Sequence, residues 1–385
     1  MLMPVSFIDS ITAIDSAQWN AVTGIDYPFT RYEFLHALEV SKATDRETGW
    51  QPQHALVYDG EQLIAVMPMY LKYHSYGEYV FDWSWADAYQ RHNSAYYPKM
   101  LSAIPFTPAT GPRLCIKPGH DAEAIHLALA DALLAHAYRV DASSIHILFP
   151  ATEAKERFKQ SGFKPRRGSQ YHWLNQNFAS FDDFLNSFSS RKRKNVKKER
   201  RRIEQQNLQL DVIEGADISP EIWQRFYYFY QLTYAKRSGH GGYLNQAFFE
   251  LIAATMAEHI VLVLAYDHNK GGEAIAGALN FKDSTTLYGR YWGCMVEYDY
   301  LHFEACYYQG IEYCIANNLQ RFDPGAQGEH KIQRGFTPIE TWSNHWIANP
   351  DFAAAINQFI DQDNQSMKEY IAQASAMLPF KKTAQ

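Results

Sequence analysis

Cysteine is scarce: Cys115, Cys294, Cys306 and Cys314 are the only four in 385 residues. None belongs to a CxxC pair and three sit in apolar segments. This argues against a zinc site or a disulfide framework and for buried free thiols in a reducing cytoplasm. No apolar run approaches the ~18 residues needed to span a bilayer. The start, MLMPVSFIDSITAIDS, has no basic stretch followed by an apolar one, so it does not read as a signal peptide. A phosphate-cradling Walker loop, a GxGxxG after a strand, a GxSxG elbow and an HExxH pair are all missing. With them go the corresponding nucleotide, hydrolase and metalloprotease readings. No cysteine sits in a nucleophile setting, which argues against a ping-pong route.

The length suggests two domains, and 46% apolar residues supply a sizeable core. Aromatic residues reach 15%, enough for some rings to line a groove with one wet edge. The net charge of -6 conceals an asymmetry, because nine of the 36 basic residues fall in RKRKNVKKERRRI, residues 191–203. A local basic device on an acidic body points to a local anionic contact. Val196, Ile203 and Leu210 recur every seven residues and give this segment a narrow apolar seam.

The chain also repeats itself. Gly60-Glu61 precedes Tyr76-Gly77-Glu78-Tyr79 as Gly272-Glu273 precedes Tyr288-Gly289-Arg290-Tyr291, an offset of 212 residues. Gly162-Phe163-x-Pro165 leads to His172-Trp173 as Gly335-Phe336-x-Pro338 leads to His345-Trp346, an offset of 173. The shorter second offset requires an insert in the first copy, expected within residues 81–114. Each copy reads as strands joined by Gly-containing turns, a long helix, a strand, a short helix and a last strand. Asp121 and Asp299 are the expected caps of the two long helices. The expected fold is α/β (α+β) with mixed, mostly antiparallel sheets, divided into residues 1–177 and 178–385.

Duplicated in this order, the elements resemble a tandem GNAT-type acyltransferase fold. The run Leu301 to Glu312, the segment PGAQGEHKIQRGFTP and the insert FDWSWADAYQRHNSAYYPKM are similar to the FemAB-like family of predicted N-acyltransferases. That family carries a peptidoglycan label, taken from Fem-type transferases that add amino acids from aminoacyl-tRNA to a cell-wall precursor. The resemblance implies an N-acyltransferase. Its donor would be acyl-CoA, acyl carrier protein or aminoacyl-tRNA, acting as co-substrate with no tightly bound cofactor. The [QR]xxGx[GA] pyrophosphate turn of acetyl-CoA enzymes is absent: KPGHDAEA and CMVEYDYLHFE stand in its place.

Acyl transfer to an amine needs a proton acceptor and positive charge where the oxyanion develops. Glu329 or His330 suits the first need and Lys331 the second, and the resemblance implies a functional lysine near Lys331. Arg334, three residues after Lys331 and on the same helical face, is a candidate for binding substrate; the bland reading is a Glu329–Arg334 ion pair bracing the last strand. Tyr291, Trp292 and His302 lie where the resemblance places the donor's reactive bond. Glu304, in an apolar helix, is either a base or a buried structural partner. In the insert, Asp82 and Asp87 are candidates for a substrate ammonium, with Trp83, Trp85 and Tyr89 as an aromatic wall. A satellite core cluster is the alternative there. Arg113, near two Gly/Pro turns, is a candidate fork for carboxylate or phosphate, or else a surface arginine. Arg191, Lys192, Arg193 and Lys194 are candidates for donor phosphates against a plain solvated face. The loop AKRSGHGGYLN is a candidate lid. Expected partners are a small or precursor substrate and tRNA or a carrier protein as donor, with no stable nucleic-acid complex and, at most, peripheral membrane contact. The competing class is a degenerate transferase that binds a peptidoglycan-type or lipid precursor without catalysis.

Overall fold

The computed structural model describes residues 3–239, 241–326 and 328–381. In chain order the strands are β1 (Val5–Ile8), β2 (Trp50–Pro52), β3 (His54–Asp59), β4 (Gln62–Met67), β5 (Tyr70–Lys72), β6 (Lys99–Ser102), β7 (Cys115–Ile116) and β8 (Ser144–Leu148). There follow β9 (Lys164–Leu174), β10 (Leu208–Glu214), β11 (Ile260–Asp267), β12 (Glu273–Lys282), β13 (Thr286–Cys294), β14 (Arg321–Asp323) and β15 (Thr337–Ile347). The chain forms two compact units, Met1–Ser169 with Glu340–Tyr370, and Gln170–Ile339 with Ile371–Gln385. A division at 177 makes no provision for the C-terminal return to the first unit. Among the described residues no helix is long and apolar enough to cross a membrane.

In the first unit β1-β3-β4-β7 form one antiparallel sheet. A second ladder runs β15-β8-β6-β5-β2, with β6 and β8 parallel and the rest antiparallel. Pro68 has no N–H to give a ladder, and the run LIAVMPMYLKY accordingly breaks there into β4 and β5. Asp121 caps the helix Ala122–Arg139 as expected, accepting from the N–H groups of Glu123 and Ala124. Ile125, Leu129 and Leu133 on that helix are fully buried in a core with Val57, Met67 and Ile145.

The second unit is a ladder in the order β10-β11-β12-β13-β14-β9, antiparallel except between β13 and β14. β11 reads IVLVLAYD, an almost unbroken apolar run, and is a central strand buried on both faces. β10, LQLDVIE, is the edge. The last strands exchange: β9, the end of the first copy, pairs through Trp173 and Leu174 with β14, and β15, the end of the second, pairs through 343–347 with β8.

Local expectations shift in three places. β12 pairs directly with the next strand, whereas β4 pairs with β7, so the extra chain of the first copy spans residues 68–114 rather than 81–114. Tyr76–Tyr79 lies in a loop and Tyr288–Tyr291 on β13, so that sequence match is not a structural one. The second long helix is capped by Tyr300 in a left-handed conformation (φ 65°), because Asp299 turns outward to Arg202. The apolar seam of the basic helix Ser190–Gln205 ends at Ile203; Leu210 belongs to β10.

Gly293 on β13 allows the helix Pro220–Ser238 to lie directly against the sheet. A Cβ there would sit 2.2 Å from the carbonyl carbon and oxygen of Phe229. Gly293→Ala therefore costs at least about 1–3 kcal/mol, read by urea unfolding. Unchanged stability would mean that this helix does not pack as described.

Candidate active site

Strands β13 and β14 run parallel only from Thr286↔Arg321 to Tyr288↔Asp323. β14 then ends while β13 continues to Cys294, and the two part. A cleft of about 390 Å³ opens at the parting. One wall is β13 from Gly289 to Trp292, and another is the loop through Pro324 and Ala326; Cys306 and Tyr307 close a third. The β12–β13 register jumps from Leu279↔Tyr291 to Asn280↔Gly289, which leaves Arg290 as the bulged residue. Bulges re-aim a side chain beside a site, and this one brings Arg290 to the cleft. Cys306 and Tyr307 are presented by a π-helical turn, Glu304–Tyr308, within a helix that is otherwise α. Such turns are rare and frequent at functional sites.

The described lining carries three cations, Arg237, Arg290 and Lys331, two imidazoles, His302 and His330, and no Asp or Glu. Lys331 is 2% exposed. Its Nζ donates to carbonyls, Gly325 O at 2.7 Å and Pro324 and Ala326 O at 3.4 Å. Burial pulls the ammonium down to about 8, with Asp323 pulling the other way. Arg290 grips Asp323, Nη2 to Oδ2 at 2.7 Å and Nη1 to Oδ1 at 3.3 Å, with both side chains 1% exposed. Burial opposes the Asp323 charge, but the Arg290 guanidinium holds that carboxyl well below the usual range. Burial and then the charges of Arg334 and Lys331 lower the His330 imidazole, whose Nε2 meets the Tyr307 hydroxyl at 2.8 Å. Burial, with His330 and Arg237 nearby, takes His302 down to about 3. Both rings are therefore neutral near pH 7.

The cleft gathers His330, Lys331, Tyr291, Trp292 and His302 from among the expected residues. Glu329 is exposed and is not part of the lining. Glu304 faces away: Arg200 bridges it and Glu312, at 2.9 and 2.8 Å, and Gln309 adds a third contact. Arg334 pairs with Glu199 at 2.8 Å and stacks on Phe303 at 3.4 Å, so it braces the cleft wall from behind. On the basic helix, Lys192 contacts Gln333 and Arg193 reaches Asn186 at 3.3 Å, while Arg191 and Lys194 are exposed. None of those four lines the cleft.

Arg113 is neither a fork nor a surface residue. It is fully buried and spends its donors on the carbonyls of Leu148, Ala109 and Pro112. Gly111 bridges Pro150 beside it, so the chain after the parallel β6–β8 pair is tied down, whereas the chain at the corresponding place of the second copy, after β13 and β14, parts. In the insert, Asp82 already holds an ammonium, that of Lys99, together with the Tyr96 hydroxyl at 2.6 Å. Trp85 and Tyr89 are core residues of a cluster with Ile356 and Ile360. Asp87 pairs with Arg91 on the surface, and Trp83 is the ring left facing solvent, 42% exposed. In the candidate lid, His240 lies outside the described residues, as does Gln327 in the segment before His330. The start of that candidate lid is helical, since the helix Pro220–Ser238 carries Arg237; Arg237, Asn280, Asp323 and Tyr307 were not singled out in the sequence as site residues, and Arg290 entered only as a possible partner of Glu304. Only Arg290, inside the repeated Tyr-Gly-x-Tyr, carried a signal.

A family model described as peptidoglycan biosynthesis/recognition, FemAB_like, matches residues 10–382. The chain belongs to the FemAB_like family. The expected tandem α/β fold is also that of solved structures. FemX is 14% identical with a TM-score of 0.53, over 89% of this chain and 98% of its own. The C-terminal domain of a putative lysylphosphatidylglycerol synthetase from Agrobacterium fabrum is 9% identical with a TM-score of 0.53, over 93% and 98%. L-PGS from Bacillus licheniformis is 9% identical with a TM-score of 0.50, over 91% and 97%. At these identities the likeness concerns the fold of the FemAB_like chain. No curated protein matches it.

Proposed function

We propose that this FemAB_like chain transfers an acyl or aminoacyl group from an activated ester or thioester to an amine, in the cleft between β13 and β14. The carrying observation is Lys331: a buried ammonium at the cleft, with carbonyls as its hydrogen-bond partners. Family membership and a fold shared with FemX support the transferase class. The amine attacks the carbonyl carbon; a C–N bond forms as the C–O or C–S bond breaks. Lys331 and Arg290 offset the charge gathering on the carbonyl oxygen. Neutral His330, steadied by Tyr307, takes the amine proton, which passes to the departing alkoxide or thiolate. With no described carboxylate in the lining, the occupant's charge is expected to be negative. Acyl-CoA, acyl carrier protein and aminoacyl-tRNA all supply phosphate, and Arg237 is the exposed cation at the cleft that suits it.

The test is release of free thiol or deacylated tRNA that depends on an added amine, followed against pH. A lysine lowered to about 8 is charged below that value, so kcat/KM is lost as pH rises through about 8. A lowered histidine is a free base above its own midpoint, so the acid limb falls below the usual histidine range. A profile flat to pH 10 would remove Lys331 from the reaction.

A further inference from the structure

Three features of the second unit converge on one carboxylate. Asp323 is the last residue of β14, at the point where the sheet parts. Its Oδ1 accepts from the Gly325 N–H at 2.9 Å and its two oxygens share the Arg290 guanidinium. His172 Nε2, on β9, stands 3.5 Å from Oδ1. The loop pinned by the Gly325 N–H is the same loop whose carbonyls hold Lys331. Gly325 makes the turn with φ 89°, a conformation that suits glycine. One buried carboxylate thus fixes, on one side, the bulged Arg290 and, on the other, the seat of Lys331. In the first copy the aspartate-proline step of β14 is matched by Phe149-Pro150, and the chain there is tied by Arg113 and the Gly111 bridge instead.

We propose that Asp323 is the positioning residue of the cleft, setting Arg290 and Lys331 at the spacing that receives an oxyanion. This rests on the transferase reading for its meaning, though not for its test. Two cations against one buried carboxylate leave a net positive charge, which an incoming oxyanion neutralises. Without Asp323, Arg290 loses its fork and the loop under Lys331 loses its anchor.

The experiment needs no substrate. Lys331 is titrated in the full chain by NMR of ¹³C-labelled lysine, assigned by the signal missing from Lys331→Met. The groups facing Lys331 are Asp323, Arg290, Cys306, Tyr307, His172, His302 and His330. Asp323→Asn keeps the shape and removes the one negative charge among them. The Lys331 midpoint then falls below that of the unaltered protein by about one pH unit or more. General loosening would do the reverse, because water entering the site returns a lysine toward its ordinary, higher value. A midpoint that stays or rises overturns the proposal. A second readout is the Arg290 guanidinium N–H signals, which exchange slowly while forked on Asp323 and disappear in Asp323→Asn. Should that variant not fold, Asp323→Glu decides. It keeps the charge but misplaces the oxygens, so the Arg290 signals are lost, and their persistence contradicts the proposal. If both readouts move as expected while no donor is turned over by the unaltered chain, the positioning role stands and the transferase reading falls.

Discussion

Lys331→Ala lowers turnover by about 10²-fold or more while leaving the protein folded. The size follows from where the charge sits. An ammonium in water contributes little to a developing oxyanion, but Lys331 is almost wholly withdrawn from solvent, and its field is correspondingly less screened. Stability changes less than turnover. Lys331 makes only three carbonyl contacts, and burial already disfavours its charged form. The alkaline limb of the pH profile vanishes with the side chain. Turnover within a factor of two or three of the unaltered protein would show that the oxyanion is met elsewhere.

Lys99→Met destabilises the first unit by about 3–5 kcal/mol. Lys99 is fully buried, with Glu78 Oε2 at 2.8 Å and Asp82 in closer contact, and those acids are also buried. Burial pushes Glu78 up to about 7, whereas Asp82, despite its burial, is held down to about 2 by Lys99 and then His146. Removing the ammonium leaves Asp82 with the Tyr96 hydroxyl and Glu78 with the more distant Lys72, at 3.9 Å, so both carboxylates lose their close cation. With Lys99 gone, burial is left to raise both acids in the folded state, so the variant recovers stability as pH falls and each takes a proton there. Urea unfolding at pH 5 and pH 8 reads both effects. A change under about 1 kcal/mol would mean that the carboxylates do not depend on Lys99, and it would restore Asp82 as a receiver of a substrate ammonium.

Residue types at Asp82, Trp85 and Tyr89 are those of an ammonium pocket, yet the ammonium that Asp82 meets is Lys99, at the other end of the same insert, while Trp85 and Tyr89 pack into a core cluster. Elements governed by neighbours along the chain were legible: the Asp121 cap, the basic helix with Val196 and Ile203 inward, and the turn at Gly272 before β12. His330 and Lys331 were legible because acid, imidazole and cation crowd one short segment. Features set by pairing across the chain were not. Arg290 reaches the cleft through a register jump between β12 and β13, and Asp323 matters because β14 stops there. The π turn at Glu304–Tyr308 hides in a run that any helical period accommodates. Glu304 reads from sequence as either a base or a buried structural partner, because an acid in an apolar helix needs a partner; it is the second, and the partner is Arg200 on the basic helix.

The most direct test of the central claim is a calorimetric titration of the full chain with donor analogues that cannot react: an amide-linked aminoacyl-CCA trinucleotide and a thioether analogue of acyl-CoA. One of them binds, and Arg237→Ala and Lys331→Ala each weaken it at least about tenfold, a loss of ~1.4 kcal/mol. Binding that is unchanged by both substitutions would place the donor away from the β13–β14 cleft and contradict the account.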